Sequence, residues 1–184
     1  MVTSEANNVT IRDLRADEHE FLREMLYAAV AWRPDAALPP KEWILSHPQV
    51  AVFHEGWGRD GDVALIAEDD NRPVGLVWYR YFTAEAHGEG FVDEGIPELA
   101  IAVVDGFRGR GIGRRLMVAA HDRAESDRIA RISLSVDSDN PARRLYESLG
   151  YVDYKPADGL GRMILAVQEA GTSEGTGVSS SSKI

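Results

Sequence analysis

Arg108-Gly109-Arg110-Gly111-Ile112-Gly113 sets three glycines on alternate positions, directly before a run that opens with Arg114-Arg115-Leu116-Met117. A short apolar segment, 98–103, precedes it, so the pattern reads as strand, glycine turn, helix. Backbone N–H groups at a helix N-terminus point outward without intrahelical partners, the helix dipole adds partial positive charge, and glycines let a phosphate approach without a Cβ in the way. Four arginines (Arg108, Arg110, Arg114, Arg115) crowd this turn in a chain whose formal net charge is −10, which points to a polyanionic ligand. The spacing excludes two common phosphate loops. A dinucleotide fingerprint needs Gly-x-Gly-x-x-Gly, and Arg114 stands where its third glycine would fall; no Gly-Lys-Ser/Thr follows for a nucleoside triphosphate loop.

Further on, Asn140-Pro141-Ala142 leads into Leu145-Tyr146-Glu147 and then Leu149-Gly150-Tyr151. Together with Arg108-x-x-Gly111-x-Gly113 and the preceding Phe107-Arg108 pair, this resembles the GNAT-type N-acetyltransferases over roughly residues 72–155. The resemblance implies an α/β fold with a mixed, mostly antiparallel central sheet flanked by helices. It also implies acetyl-CoA as co-substrate, with no metal. Arg108, Gly109, Arg110, Gly111, Ile112, Gly113 and Arg114 would grip its pyrophosphate, and Val103 and Val104 would offer main-chain groups to the pantetheine arm and the oxyanion. Asn140 either touches that arm or caps the following helix.

Acyl transfer needs a neutral amine, a site for the developing oxyanion and a proton for the departing thiolate. Tyr146 falls at the position of the family's general-acid tyrosine, and a phenol with an ordinary pKa near 10 keeps its proton at neutral pH; the alternative is a core aromatic beside Leu145 and Leu149. Glu98 is the candidate base, against a solvated carboxylate at the start of a strand, because a one-residue slip would turn it to the other face. With no cysteine in the chain, the usual covalent acyl carrier is missing, so direct attack in a ternary complex is the expected route. Transfer of a different acyl group, or a non-catalytic acyl-CoA sensor on the same fold, stays open.

Other constellations are empty. The five histidines show no His-x-x-x-His or His-Glu-x-x-His spacing, and there is no Gly-x-Ser-x-Gly elbow. Trp32, Trp43 and Trp57 fall in the region expected to form either core or acceptor wall. Glu85, Glu89, Asp93 and Glu94 form either a solvated loop or an electronegative lip for a cationic acceptor.

The elements that must position these residues follow from periodicity. Residues 9–14 form a strand, 17–32 an amphipathic helix ending before Pro34, and 41–46 a second short helix. Residues 62–68 and 73–82 make a hairpin across a polar turn, and a loop over 83–97 leads into strand 98–103. Beyond the glycine turn, Ile112, Leu116, Ala119 and Ala120 share a helical face. Residues 131–137 alternate as a half-buried strand, 141–149 form a helix capped by Asn140, and 151–154 pairs with 162–167. The order βααββ–βαβα–ββ is that of an α/β sandwich.

At 184 residues and 44% hydrophobic, one domain over 1–168 is expected, with 169–184 a disordered Ser/Gly-rich tail. The first ten residues carry neither a basic nor an apolar signal region, and no apolar run reaches membrane-spanning length, so a cytoplasmic protein without a membrane partner is expected. The acidic balance argues against nucleic acid and suits an amine-bearing partner, a small molecule or a peptide. Homodimers are common on such scaffolds.

Overall fold

The computed structural model describes residues 8–33, 35–155, 159 and 161–167. Strands β1 (Val9–Asp13), β2 (Val63–Asp69), β3 (Arg72–Arg80), β4 (Glu98–Val103), β5 (Arg131–Ser135), β6 (Val152–Asp153) and β7 (Arg162–Ala166) alternate with helices α1 (His19–Val30), α2 (Lys41–Leu45), α3 (Pro48–Ala51), α4 (Ile112–Ser126) and α5 (Arg143–Ser148). A single turn of 3₁₀ helix, Ala16–Glu18, leads into α1. The expected tail over 169–184 lies outside the described residues.

All seven strands join one sheet in the order β1-β2-β3-β4-β5-β7-β6, antiparallel everywhere except between β4 and β5. The β2–β3 hairpin closes through Asp70 and Asn71, both at positive φ (49° and 61°), the left-handed pair that a two-residue turn between right-twisted strands requires. Asp and Asn tolerate that conformation best among residues with a side chain.

The central strands are buried on both faces, so alternation sorts their side chains into two cores. Val77, Tyr79, Leu99, Ile132 and Leu134 meet Leu116, Met117 and Ala120 of α4. Leu76, Trp78, Ile66 and Ala102 meet Leu22, Met25 and Leu26 of α1, Leu45 of α2, and Phe53. Each fully buried Leu, Ile or Met in these layers contributes roughly 1.5–3 kcal/mol by removal from water. Among the described residues no helix is long and apolar enough to cross a membrane.

Element boundaries differ from the periodicity in instructive places. Helix α4 begins at Ile112, so Gly113 lies inside its first turn. The strand expected over 131–137 ends as regular strand at Ser135; Val136 N–H still bonds Gly161 O (3.0 Å) in the β5–β7 register, and beyond it Asp137 is drawn into a side-chain contact with Trp32. Helix α5 is shorter than expected: the segment after Asn140 first makes a turn, held by Ala142 N–H donating to Asn140 Oδ1 at 2.9 Å. Helix α3, started by Pro48 after His47, is an extra element.

Arg80, at the end of β3, is fully buried with Asp62 beside it. Its Nε and Nη2 donate to the two Asp62 oxygens (3.0 and 2.9 Å), Nη1 to Val52 O (2.7 Å) and Glu55 O (3.0 Å), and Nη2 also to Gly56 O (3.3 Å). Trp57 covers the guanidinium at 5.2 Å. Burial pulls the Arg80 pKa down and Asp62 opposes it. The cation thus ties the segment after α3 to the sheet. Asp62→Ala leaves a buried charge uncompensated and should destabilise the fold by about 3–5 kcal/mol in urea unfolding; a loss under 1 kcal/mol would show that carbonyls alone suffice.

Candidate functional site

Strands β4 and β5 share a single parallel pair, Glu98 with Ser133, and Ser133 N–H donates to Pro97 O at 3.0 Å. Beyond it the strands part. On its other edge β4 is paired with β3 along its whole length, and Val104 N–H closes that ladder on Val74 O at 2.9 Å. Antiparallel pairing alternates, so residues of the Val104 parity bond β3, while the main-chain groups of Ile101 and Val103 face the β5 side. This corrects the expectation for Val104: its N–H is already used within the sheet. The gap broadens into a cleft of about 860 Å³ between β4, β5, α1, α5 and the glycine turn.

At one end stands that turn. Gly109 and Gly111 hold φ of +76° and +79°, and a Cβ on either would meet nothing within 4 Å, so the space beside them is open to a ligand. Gly111 is the left-handed N-cap of the 15-residue helix α4. Arg108 and Arg114 line the cleft; Arg108 Nε donates to Val103 O at 3.1 Å and Arg114 Nη2 to Ser148 Oγ at 2.5 Å. The other two arginines depart from the expected cluster. Arg115 reaches away to Val9 O on β1, and Arg110 stacks over Phe107 at 4.8 Å. Neither lines the cleft, and Ile112 is buried in the core. Of the three arginines expected to grip the ligand, Arg108 and Arg114 line the cleft beside the turn's backbone and Arg110 does not. Gly113 also lines the cleft, packed close to Leu145.

At the other end is Glu98, 2% exposed and on the cleft wall. Loop 87–91 folds over it: Gly90 N–H donates to Glu98 Oε1 at 2.7 Å, and a Cβ on Gly88 or Gly90 would come within 2.7 Å of the carboxylate. His87 stacks on Phe91 at 4.4 Å, and Arg162 Nη1 holds Phe91 O at 2.9 Å. Glu98 Oε2 accepts no hydrogen bond of acceptable geometry, although Gly88 N–H favours the charged carboxylate. Burial dominates and pushes the carboxyl up to about 8; the Gly90 N–H opposes this and nearby Glu89 reinforces it. The enclosing glycines carry a faint sequence signal, His87-Gly-Glu-Gly90, that becomes meaningful only once Glu98 is known to sit beneath them.

Tyr146 lies on the same wall, 7% exposed, edge-on to Tyr151 at 5.9 Å. Burial raises its pKa, so the phenol is held protonated. Asn140 lines the cleft, and its Oδ1 caps the turn before α5, not the helix itself, whose N-cap is Ala142. Among the tryptophans, Trp32 lines the cleft, Trp43 is 59% exposed on α2, and Trp57 covers Arg80. Of the expected acidic lip, only Glu89 lines the cleft; Asp93 and Glu94 accept from Gly95 N–H and Ala84 N–H within their own loop. Across the mouth, Trp32 Nε1 donates to Asp137 Oδ2 (3.1 Å) and Arg33 Nη2 to Asp139 Oδ1 (2.6 Å).

A profile of the acetyltransferase (GNAT) family matches residues 21–151, and the chain belongs to that family. It is 35% identical over 106 residues to mycothiol acetyltransferase of Acidothermus cellulolyticus, an alignment covering 54% of this chain and 32% of that protein. It is 38% identical over 80 residues to N-alpha-acetyltransferase 40 of Saccharomyces cerevisiae, covering 38% and 28% respectively. The chain thus spans about a third of the length of these curated relatives. The fold matches that of a GNAT family acetyltransferase from Brucella melitensis in complex with acetyl-CoA at TM-score 0.58 and 21% identity, covering 88% of this chain and 90% of that one.

The burial of Glu98 has a direct thermodynamic consequence. A carboxyl raised from 4.5 to about 8 holds its proton in the folded state after the unfolded chain has released it. Its contribution to stability is therefore complete below pH 4.5 and is lost as pH rises through about 8. Glu98→Gln, which cannot ionise, should gain on wild type over that window by up to about 1.4 kcal/mol per pH unit. Urea midpoints at pH 5 and pH 8.5 check this; a constant difference would place the Glu98 titration in its ordinary range.

Proposed function

We propose that the protein transfers the acetyl group of acetyl-CoA to a primary amine by direct attack in a ternary complex. The observation that carries this reading is the parting of β4 from β5 into a cleft with a glycine turn at one end and a buried carboxyl at the other. A phosphate group fits against the open backbone of Gly109 and Gly111 and between Arg108 and Arg114. The pantetheine arm runs along β4, where main-chain groups of Ile101 and Val103 face the gap. The acetyl-CoA complex of the Brucella relative supports the choice of co-substrate, and the acetyltransferase names of the two sequence relatives support the reaction class.

In this scheme the amine nitrogen attacks the thioester carbonyl carbon, and a backbone N–H of β4 stabilises the oxyanion. The amine's surplus proton passes to Glu98, directly or through water. A base with a pKa near the working pH is well matched to that step. As the C–S bond breaks, Tyr146 donates its phenolic proton to the departing thiolate, and its phenolate is reprotonated from solvent. Burial keeps the phenol protonated until that step and draws the proton back afterwards; the transfer itself is uphill to a less basic thiolate and depends on that rapid reprotonation.

Tyr146→Phe keeps the ring and removes only the hydroxyl. It should leave acetyl-CoA affinity, read from thermal stabilisation, nearly unchanged. In a free-thiol release assay with a panel of primary amines, kcat should fall by about 10²- to 10⁴-fold near pH 7. The deficit should shrink near pH 9.5, since a thiol with a pKa near 8.5 leaves without help there. Turnover within about threefold of wild type at pH 7, under roughly 1 kcal/mol in the barrier, would remove Tyr146 from the chemistry. Stabilisation by acetyl-CoA without thiol release from any amine would assign a binding module.

A further inference from the structure

The charged groups along the cleft are segregated. Its lining arginines, Arg108 and Arg114, both stand at the glycine turn, and no lysine lines it. The half around Glu98 is walled by Leu26, Ala29, Val50 and Phe53, and the acidic side chains lining it are Glu89 and Glu98, with His47 at its edge; Asp137, four residues beyond Ser133 of β5, stands toward the turn. Asp137 is committed to Trp32 and lies 3.5 Å from Arg33, whereas Glu98 Oε2 is buried on the wall with only a poorly aligned Gly88 N–H near it. A buried acceptor atom facing a cavity is satisfied by a ligand that brings a donor.

We infer that the acceptor is a primary amine with an apolar body and no carboxylate near the amine. The proposal rests on the acetyl-transfer reading and names its substrate class. The ammonium, before it is deprotonated, donates toward Glu98 with Glu89 adding to the negative field, while the apolar body packs on Leu26, Val50 and Phe53. A free amino acid would bring its own carboxylate beside Glu89 and Glu98, where no arginine or lysine lines the wall to receive it; Arg162, the cation near Glu98, is held behind the wall on Phe91 O. Like charges placed together across an interface are strongly disfavoured. A free arylalkyl amine and the N-terminus of a peptide share the required chemistry, so both are sources to be told apart.

Four probes differ by one group at a time: phenethylamine, L-phenylalaninamide, L-phenylalanine and the tripeptide Phe-Ala-Ala. Thiol release from acetyl-CoA should show kcat/KM for phenethylamine and phenylalaninamide at least 100-fold above phenylalanine. Titration calorimetry of the same amines into the complex with CoA should show the same order of binding, independently of catalysis. Glu89→Gln should cut the discrimination against phenylalanine by about tenfold without changing acetyl-CoA stabilisation. The tripeptide assigns the source: turnover comparable with phenylalaninamide marks a peptide N-terminus, and turnover far below it marks a small amine. Phenylalanine used or bound within threefold of its amide would overturn the inference while leaving acetyl transfer intact. If no amine releases thiol, the catalytic reading fails, and calorimetry alone decides the inference: preferential binding of the two uncarboxylated amines upholds it, and equal or absent binding of all four overturns it.

Discussion

The organisation of this protein depends on one interruption of hydrogen bonding, the end of the β4–β5 ladder after a single pair. A strand in mid-sheet ordinarily satisfies its main chain on both edges, because an unpaired buried N–H or C=O is expensive. Here β4 is held on one edge by six register pairs with β3, and β5 by five with β7, so neither strand can swing to close the gap. The two cores brace the same opening from both faces, α4 against one side of the sheet and α1 against the other. The result is a preformed slot whose own backbone offers the missing half of a ladder.

Chemistry is then distributed along the slot by burial and charge. The glycine turn is exposed, basic and open, suited to an anion that keeps part of its hydration. Glu98 and Tyr146 sit where water is scarce, and in both burial favours the neutral acid. The difference lies in degree. The backbone N–H of Gly90 keeps Glu98 within reach of ionisation near neutrality, and nothing comparable lowers Tyr146. One protonation equilibrium is poised and the other is held, the separation that the base and acid roles proposed for them would require.

Much of the fold is written locally. The hairpin turn at Asp70-Asn71, the amphipathic faces of α1 and α4 and the apolar stretch of β4 follow from spacing alone, and the glycine turn declares its geometry through residues that tolerate positive φ. What local spacing does not carry is parity and partnership. Whether Val103 or Val104 turns its N–H into the cleft depends on the β3 register. Arg110 and Arg115 read like Arg108 and Arg114 until the helix sets their directions. Arg80 looks like a polar interruption of an apolar strand, and only the folded chain brings Asp62 and the three carbonyls to its donors. The same holds for Gly88 and Gly90, ten and eight residues from the carboxylate they enclose.

The Arg80–Asp62 lock and the contacts at the cleft mouth differ sharply in stiffness, although both are arginine–aspartate pairs. The first is buried and bidentate and takes in Val52 O, the carbonyl next to Phe53, so the aromatic wall of the slot is fastened to the sheet. The second, Arg33 with Asp137 and Asp139, is about half exposed to solvent, where such pairs contribute little and yield to added salt. The molecule therefore pairs a rigid mould with a soft latch. The contact at the mouth is one that thermal motion readily breaks, whereas the wall behind it keeps its shape.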